Sequence, residues 1–530
     1  MKMKRYIRII ASMLLGGAIL GACNGTDYDF SVCEMKVDRD AIVDVAAQNP
    51  GQEAVVLTTT APYWMVQTPD WITPDATTGY GEQSIITFTI ASNFKNENTD
   101  MAARSGEIKI SGGMTSVIIT VNQLGYTAPV DPDASIGGIT DIDEFKDFVA
   151  AVNNGRKLSR WYNSDGEVEL LTDIDLSDFT EWEPIGMPEK VTYGNNSLTY
   201  TGSAFKGKFN GGGHTISNFN LTAAVGKDAA VGFFGMLEGA TVKDLTINGK
   251  MSISATGAGS AGMLAGAMIS TTVENVKVNA DVEFKGTITS DRFATGGVVG
   301  FTYGTGDANS LIKDCVMTGN VNAVSGDGNT ANGATAAVYG GITGFSTTPA
   351  ESANVIANCE NNGKITASLG RCSGIVATAH AGTTISGCVN NADQVNTFGD
   401  GRIGNIVSVI GTKGCIEDCI NNGNLTTTTA KTTTGAIAAL LNESHVVIKG
   451  GRNNGTIIGG NTSTIGLIAA NFSKFSSVSG FTVSGKIGYY KEDGNHEMQD
   501  LNEGTYMKFI GKITSANLAK VTDIKFEPAK

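Results

Sequence analysis

Two short patterns that return about every thirty residues constrain this chain more than any other feature. The first has an apolar residue, two variable residues and then a small or apolar one. It occurs as Val242-Lys-Asp-Leu245, Val273-Glu-Asn-Val276, Ile312-Lys-Asp-Cys315 and Ile356-Ala-Asn-Cys359, and again at 385–388, 416–419, 448–451 and 478–481. The fourth positions are spaced 31, 39, 44, 29, 31, 32 and 30 residues apart, and the two long steps hold inserts such as Asp327-Gly328-Asn329. Between them lies a glycine-led apolar element, starting at Gly232, Gly262, Gly297, Gly341, Gly374, Gly404, Gly435 and Gly466. A fixed period with two strand-like pieces and glycine corners per unit marks a solenoid. The 68 glycines and the lack of a 3.6-residue period exclude helical repeats. The spacing predicts a parallel β-helix with one coil per unit and stacked strands about 4.8 Å apart. Counted from Leu170, ten coils would make a rod of about 50 Å. The general rule for parallel crossovers makes it right-handed.

A position repeated in every coil falls above its equivalent in the coil before. Cys315, Cys359, Cys388 and Cys419 share such a position, which Val276 and Gly451 fill elsewhere. Buried cysteine acts there as a small hydrophobe, so the four predict a structural ladder. No pair has CxxC spacing, which argues against zinc and thioredoxin-like redox sites; spacing alone does not decide whether stacked thiols form disulfides. The pairs Asn361-Asn362, Asn390-Asn391, Asn421-Asn422 and Asn453-Asn454 follow at a fixed offset. Asparagine tolerates left-handed backbone, so these pairs are expected to form corners.

The chain begins with Lys2, Lys4, Arg5 and Arg8 and an apolar run from Ile9 to Ala22, the layout of a secretory signal peptide over residues 1–22. That run is too short for a spanning helix, which needs about 20 residues. It ends in Leu20-Gly21-Ala22-Cys23, which resembles the lipobox of bacterial lipoproteins. The resemblance implies cleavage before Cys23 and acylation of that residue; several acyl chains together give stable membrane attachment. The competing reading is an ordinary cleaved signal with a chance cysteine. Residues 23–30 form a polar tether, in which Asp27 and Asp29 are a weak version of the acidic signal for outward display in Bacteroidetes-type cells. The net charge is −14; without the four leader cations it is 34 Lys and Arg against 52 Asp and Glu, or −18. So acidic a chain repels nucleic acid and anionic lipid heads.

Residues 31–124 predict a small β-sandwich, with strands at 55–57, 85–90, 107–110 and 117–121 and period-two alternation in Ile86-Thr87-Phe88-Thr89-Ile90. The segment resembles the BACON family through Tyr63-Trp64, Asp70-Trp71-Ile72, Gly79, Gly81, Asn93, Arg104-Ser105-Gly106 and Val121-Asn122-Gln123. That resemblance implies either carbohydrate binding or a spacer. Residues 125–140 read as a linker that runs into a capping helix. Asp141 to Glu144 fits a capping box, the apolar residues Ile142, Phe145, Phe148, Val149 and Val152 keep helical spacing, and Asn154-Gly155 stops the helix. The glycine-led element resembles the GLUG repeat of bacterial surface proteins. Leu171-Thr-Asp-Ile-Asp-Leu176, Trp182-Glu-Pro-Ile-Gly186 and the segment from Phe205 to Phe219 precede it in the order seen in such β-helices. The resemblance implies a helical cap and β-helix over 141–490 and leaves 491–530 as a capping segment. There Tyr489-Tyr490-Lys491, 507–510 and 524–526 are expected to be strands that close the stack.

Catalytic signals are sparse. His496-Glu497-Met498-Gln499-Asp500 lacks the second histidine of the zincin motif and follows the turn-former Asp493-Gly494-Asn495. Asp173, Asp175 and His214 lie in family-typical turns, and no acid pair recurs on adjacent coils. Tyr63, Trp64 and Tyr80 are the glycan-stacking candidates; Trp71 is expected to be buried and Tyr80 exposed. The expectation is therefore an all-β, non-catalytic lipoprotein of the outer membrane and cell surface. It carries no cofactor or metal and has no nucleic-acid partner, and it presents its β-helix for adhesion or to a glycan. The alternatives are a polysaccharide lyase or hydrolase, and a spacer within an envelope complex.

Overall fold

A computed structural model describes residues 33–95, 99–127, 135–179, 181–286, 292–325, 337–349, 353–462, 464–491, 493–513 and 518–528. The leader, Cys23, the tether and the insert at 327–329 lie outside the described residues. The chain forms two compact units, Met1–Asp131 and Pro132–Lys530.

The first unit holds two small sheets. One orders Met35–Val37, Gln52–Thr59, Gln83–Ile90 and Ile72–Pro74; the other orders Ala41–Val45, Thr115–Gln123, Arg104–Gly112, Trp64–Gln67 and Thr78–Gly79. Alternation puts one face of each strand inside, so Val55, Leu57, Ile86, Phe88, Ile108, Ile110, Ile119 and Val121 are all fully buried in one core. The residues behind the family resemblance hold this unit together. The Gln123 side chain donates from Nε2 to the carbonyls of Ala46 (2.9 Å) and Ala91 (3.1 Å) and accepts from Arg104 Nε (2.8 Å). Asn93 Nδ2 donates to the carbonyls of Ala102 and Leu124. A Cβ on Gly79 would lie 2.1 Å from the Trp64 ring, so glycine alone fits beneath it.

The second unit is a parallel β-solenoid with three faces. The second and third faces are sheets of eight parallel strands each, from Ala229–Val231 to Ile465–Gly466 and from Phe234–Glu238 to Ala469–Asn471. The first face is longer. It starts at Val168–Glu169, contains the long strands Thr241–Ala255 and Thr272–Gly286, and from Leu311–Lys313 onward uses three short strands per coil. Complete coils therefore number about eight and not ten, and the stack is about 40 Å long. The segments at both ends add strands to the first face without closing a coil.

Two corners shape each coil. The first is the third position of the apolar pattern, which is left-handed at Asp244, Asn275, Asp314, Asn358 and Asp418 (φ +51° to +54°) and at Gly387, Gly450 and Gly480. Asp, Asn and Gly are the residues that enter this region at least cost. The first asparagine of each pair, expected at a left-handed corner, instead ends an extended strand such as Glu360–Asn361 or Ile420–Asn421, and the second follows it directly. The second corner joins the second and third faces, and its glycines form two adjacent columns. Strand register puts Gly262, Gly296, Gly340, Gly404, Gly435 and Gly466 in one column, with Ser373 between Gly340 and Gly404, and Gly297, Gly341 and Gly374 in the next. In the first column a Cβ would strike the carbonyl oxygen three residues ahead, at 1.9 Å for Gly296 and Gly435 and 2.1 Å for Gly340 and Gly404.

Both ends of the stack are covered. At the front, helix Ile142–Asn153 is capped by Asp141 Oδ1, which accepts from the backbone N–H of Asp143 and Glu144. Glu144 does not complete the capping box; it holds Arg160 (2.6 Å) and Trp161 Nε1 (2.8 Å). Phe145 and Phe148 pack against Trp161, Trp182, Phe205, Phe209 and Phe233. At the far end Ile487–Tyr490, Lys520–Thr522 and Lys525–Phe526 are strands, but Tyr506–Phe509 is a 3-10 turn, not the expected strand. Its Phe509 carbonyl accepts from Leu467 N at the corner, and Ile510 O accepts from Ala469 N on the last third-face strand.

Candidate functional site

Cys315, Cys359, Cys388 and Cys419 occupy equivalent places inside successive coils, each at most 1% exposed. They are free thiols, and Cys359, Cys388 and Cys419 donate to the carbonyls of Ile312, Ile356 and Ile385 in the coil before. Burial pushes the Cys315, Cys359 and Cys388 thiols well up, away from the reactive thiolate. The native chain treated with a thiol reagent is therefore expected to label at Cys33 and Cys415, which are partly exposed, and not at Cys359 or Cys388. Peptide mapping after alkylation checks this.

Asparagines stack beside the thiols. Asn361 donates to Asn390 Oδ1 (2.8 Å), Asn390 to Asn421 (3.1 Å) and Asn421 to Asn453 (2.8 Å), all buried. A second, exposed ladder runs from Asn454 through Asn422 and Asn391 to Asn362. Both ladders bind coil to coil.

On the sandwich, Tyr80 is 82% exposed and Tyr63 is 50% exposed. Trp64 is 4% exposed and donates to Ser84 Oγ, so it offers no ring face to a sugar and drops out of the stacking set. Trp71 is half-buried under the Arg104 guanidinium, 4.4 Å from the ring centre.

The acidic candidates serve the fold. Asp173 accepts from Thr215 N and His214 Nδ1, and Asp175 from Ser177 N and Asn218 Nδ2; these bonds lower both carboxyl pKa values. His496–Gln499 is a strand paired antiparallel to Ile487–Tyr490, so its side chains alternate and a zincin helix is excluded. The expected turn precedes it, where Lys491 N bonds Asn495 O.

The most unusual chemistry lies on the outer side of the second and third faces. The hairpin of Pro188–Tyr193 and Leu198–Gly202 covers an outward apolar cluster that includes Met236, Ala294, Phe301, Val338 and Phe345. Tyr193 meets Phe301 edge-on at 5.2 Å, and Phe301 stacks on Phe345 at 4.9 Å. Along the outward column Ala294, Val338, Arg371 and Arg402, small apolar residues give way to arginine. Arg292 lies over Phe345 at 4.2 Å and donates to Asn195 Oδ1 at the hairpin tip (3.2 Å). Arg371 is 8% exposed and donates to Thr378 Oγ1 (3.1 Å). His380 stacks on Phe345 at 6.0 Å. Among the described residues no carboxylate pairs with Arg292, Arg371 or Arg402, and the Nε atoms of Arg292 and Arg371 are buried without a hydrogen-bond partner. Burial takes the Arg371 guanidinium down to about 9, aided by repulsion from Arg292 and Arg402, and burial takes Arg292 down to about 10. Burial, Arg292 and Arg371 also lower the His380 pKa, against the opposing pull of the Glu443 carboxylate. Threonine and asparagine ring the cluster: Thr347 Oγ1 donates to the Asn195 carbonyl (2.8 Å) and Asn196 Oδ1 (3.1 Å).

Spacing did not single out these residues, because Arg292 lies far from the other three and their neighbours vary. The signal was present: Arg371 and Arg402 stand at one repeat position in consecutive coils of an acidic chain. A second feature is a groove of about 630 Å³ on the first face, lined by Asp281, Glu283, Asn320, Asn322, Lys364 and Thr366. Asp281 Oδ1 there accepts from Asn320 N.

Residues 63–124 match the BACON family, described as "Putative binding domain, N-terminal". The solenoid stays a GLUG resemblance. Among solved structures, the chain is similar to one described as a "putative immunoglobulin A1 protease from Bacteroides ovatus" (15% identity, 68% of this chain and 77% of that one, TM-score 0.33). It is similar also to an IgA1 protease (12%, 87% and 30%, 0.38) and to a Bacteroides ovatus GH5 xyloglucanase in complex with a heptasaccharide (13%, 35% and 36%, 0.15). The chain spans about a third of the length of these last two, and likenesses this remote carry no argument about chemistry. A search of the curated proteins found no match.

Proposed function

We propose that the chain is a lipid-anchored protein of the outer membrane and cell surface that captures a glycan on its solenoid without transforming it. The observation that carries this reading is the outward arginine cluster, a set of donors whose arginines pair with no carboxylate among the described residues, held on a stack of coils. Acids elsewhere on the coils support it, since they are engaged in structural pairs such as Glu274 with Lys313 and Glu417 with Lys449, both at 2.7 Å. The family match at 63–124 adds a second surface, where Tyr80 and Tyr63 are the exposed rings. The anchor rests on the lipobox resemblance at Cys23.

The full chain, spotted with a glycan library, is expected to retain saccharide and release no shorter product. If the sandwich takes part, Tyr80→Ala weakens capture about tenfold, in keeping with the loss of one stacking ring; unchanged affinity removes that surface from the reading. Metabolic labelling with an alkyne fatty acid should mark the wild type and not Cys23→Ala, and protease treatment of intact cells should shave the chain. The groove with Glu283 and Lys364 favours the second reading, polysaccharide cleavage, and released oligosaccharide in the capture assay would establish it.

A further inference from the structure

We propose that the cluster of Arg292, Arg371, Arg402 and His380 on the solenoid's outer side is a binding site for an oxyanion, a carboxylate or sulfate, borne by a saccharide. The inference rests on the glycan-capture reading and names the ligand class of that site.

A guanidinium moved out of water needs a counter-charge, and the fold usually supplies one where it buries one. Arg160, whose side chain is partly buried, follows that rule and pairs with Glu144 at 2.6 Å. Arg371 does not. It is more than nine-tenths buried; among the described residues its guanidinium hydrogen-bonds the Thr378 hydroxyl through Nη1 and leaves Nε unpartnered. Its column neighbour is another arginine, so stacking in register brings like charges together. A structural role would be met more cheaply by Val338's type of residue, which fills the same column one coil earlier. Unpaired, converging arginines are what a site for a planar or tetrahedral oxyanion requires, since the guanidinium fork matches two oxygens at once. The cluster is also a local exception in a chain of net charge −14.

The rim identifies the carrier. Asn195, Asn196, Thr347 and Thr378 border the cluster, and Thr433 follows Arg402 in the column. Hydroxyl and amide groups suit the hydroxyls of a sugar. The hairpin tip, held to Thr347 through Asn195 and Asn196, fixes one wall and places Arg292 against Phe345.

Calorimetry on the full chain with four probes tests this: a galacturonate oligosaccharide carrying only carboxylates, a carrageenan oligosaccharide carrying only sulfates, a neutral galactan oligosaccharide and inorganic sulfate. One anionic saccharide is expected to bind at least tenfold tighter than the neutral one and to weaken with added salt. Arg371→Met should lower that affinity at least tenfold while the chain stays folded by circular dichroism. Arg402→Gln, at a more exposed position, gives a second reading with the same direction. Equal binding of the neutral probe overturns the inference and leaves glycan capture standing. Binding of inorganic sulfate alone overturns the saccharide assignment. Unchanged affinity in both variants overturns the site. No saccharide bound at all overturns glycan capture with it.

Discussion

Gly435→Val is expected to unfold the middle of the solenoid, lowering stability by more than about 4 kcal/mol, the range reserved for backbone strain and severe overpacking. Gly435 turns the chain from the second face to the third, and a Cβ there would sit 1.9 Å from the Ala438 carbonyl oxygen and 2.9 Å from Ala470 N. Neither atom can retreat, because both belong to backbone tied into the neighbouring coils. Each coil contacts only its neighbours, so a broken coil exposes the faces on both sides of it. The matched control is Gly480→Asn. That glycine has φ +66° and no atom within 3.6 Å of its would-be Cβ, and Asn358 occupies the same corner four coils earlier. Its stability should change by less than about 1 kcal/mol. Thermal unfolding and limited proteolysis of the two variants decide the matter; a Gly435→Val chain as protease-resistant as the wild type would refute the account of the corner.

Asn421→Asp is expected to be the most damaging polar substitution in the solenoid, costing about 3 kcal/mol or more. Asn421 is fully buried, donates to Asn453 Oδ1 (2.8 Å) and the Gly423 carbonyl (2.9 Å), and accepts from Asn390 (3.1 Å). The amide is both donor and acceptor, which lets the ladder run in one direction through four coils. Aspartate turns both donations into contacts between acceptors and puts a charge where water cannot reach. Asn421→Ala should cost less than Asn421→Asp, because it strands the partners without adding repulsion. The exposed ladder supplies the contrast: Asn391→Ala, whose bonds water can replace, should cost less than about 1 kcal/mol. Denaturant titrations of the three variants rank them, and an equal loss for Asn391→Ala and Asn421→Ala would sink the distinction between the ladders.

Much of the fold was legible because β-solenoids write their geometry into the sequence as a period. Ile312, Ile356, Ile385, Ile416 and Ile448 return at the coil length and all point inward. The front cap was legible from Asp141, from the helical spacing of Phe145 and Phe148, and from Asn154-Gly155. Assignments within the coil were harder. Asparagine pairs and left-handed corners use the same residue types, so composition could not separate Asn361, a ladder member in extended backbone, from Asn358, the true corner three residues earlier. The alignment of glycines likewise joined two columns, because adjacent glycines such as Gly296-Gly297 and Gly340-Gly341 look alike until strand register distinguishes them. Trp64 was mistaken for a surface ring because alternation gives a period without saying which phase faces the core; the void above Gly79 decided it.

What the sequence determined by itself was the repeat, the all-β class, the order of sandwich, helical cap and coils, and the equivalence of positions such as Cys359, Cys388 and Cys419, since a period is a one-dimensional property that survives without coordinates. What only the tertiary structure decided was which unlike residues meet. Arg292 and His380 lie far apart in the chain, and both stack on Phe345 because strand register, insert length and a hairpin folded back over the coils bring them there. The physical reason is that backbone pairing stacks like positions automatically, whereas contacts across a coil, and the charges they leave without partners, depend on distances that no spacing along the chain encodes.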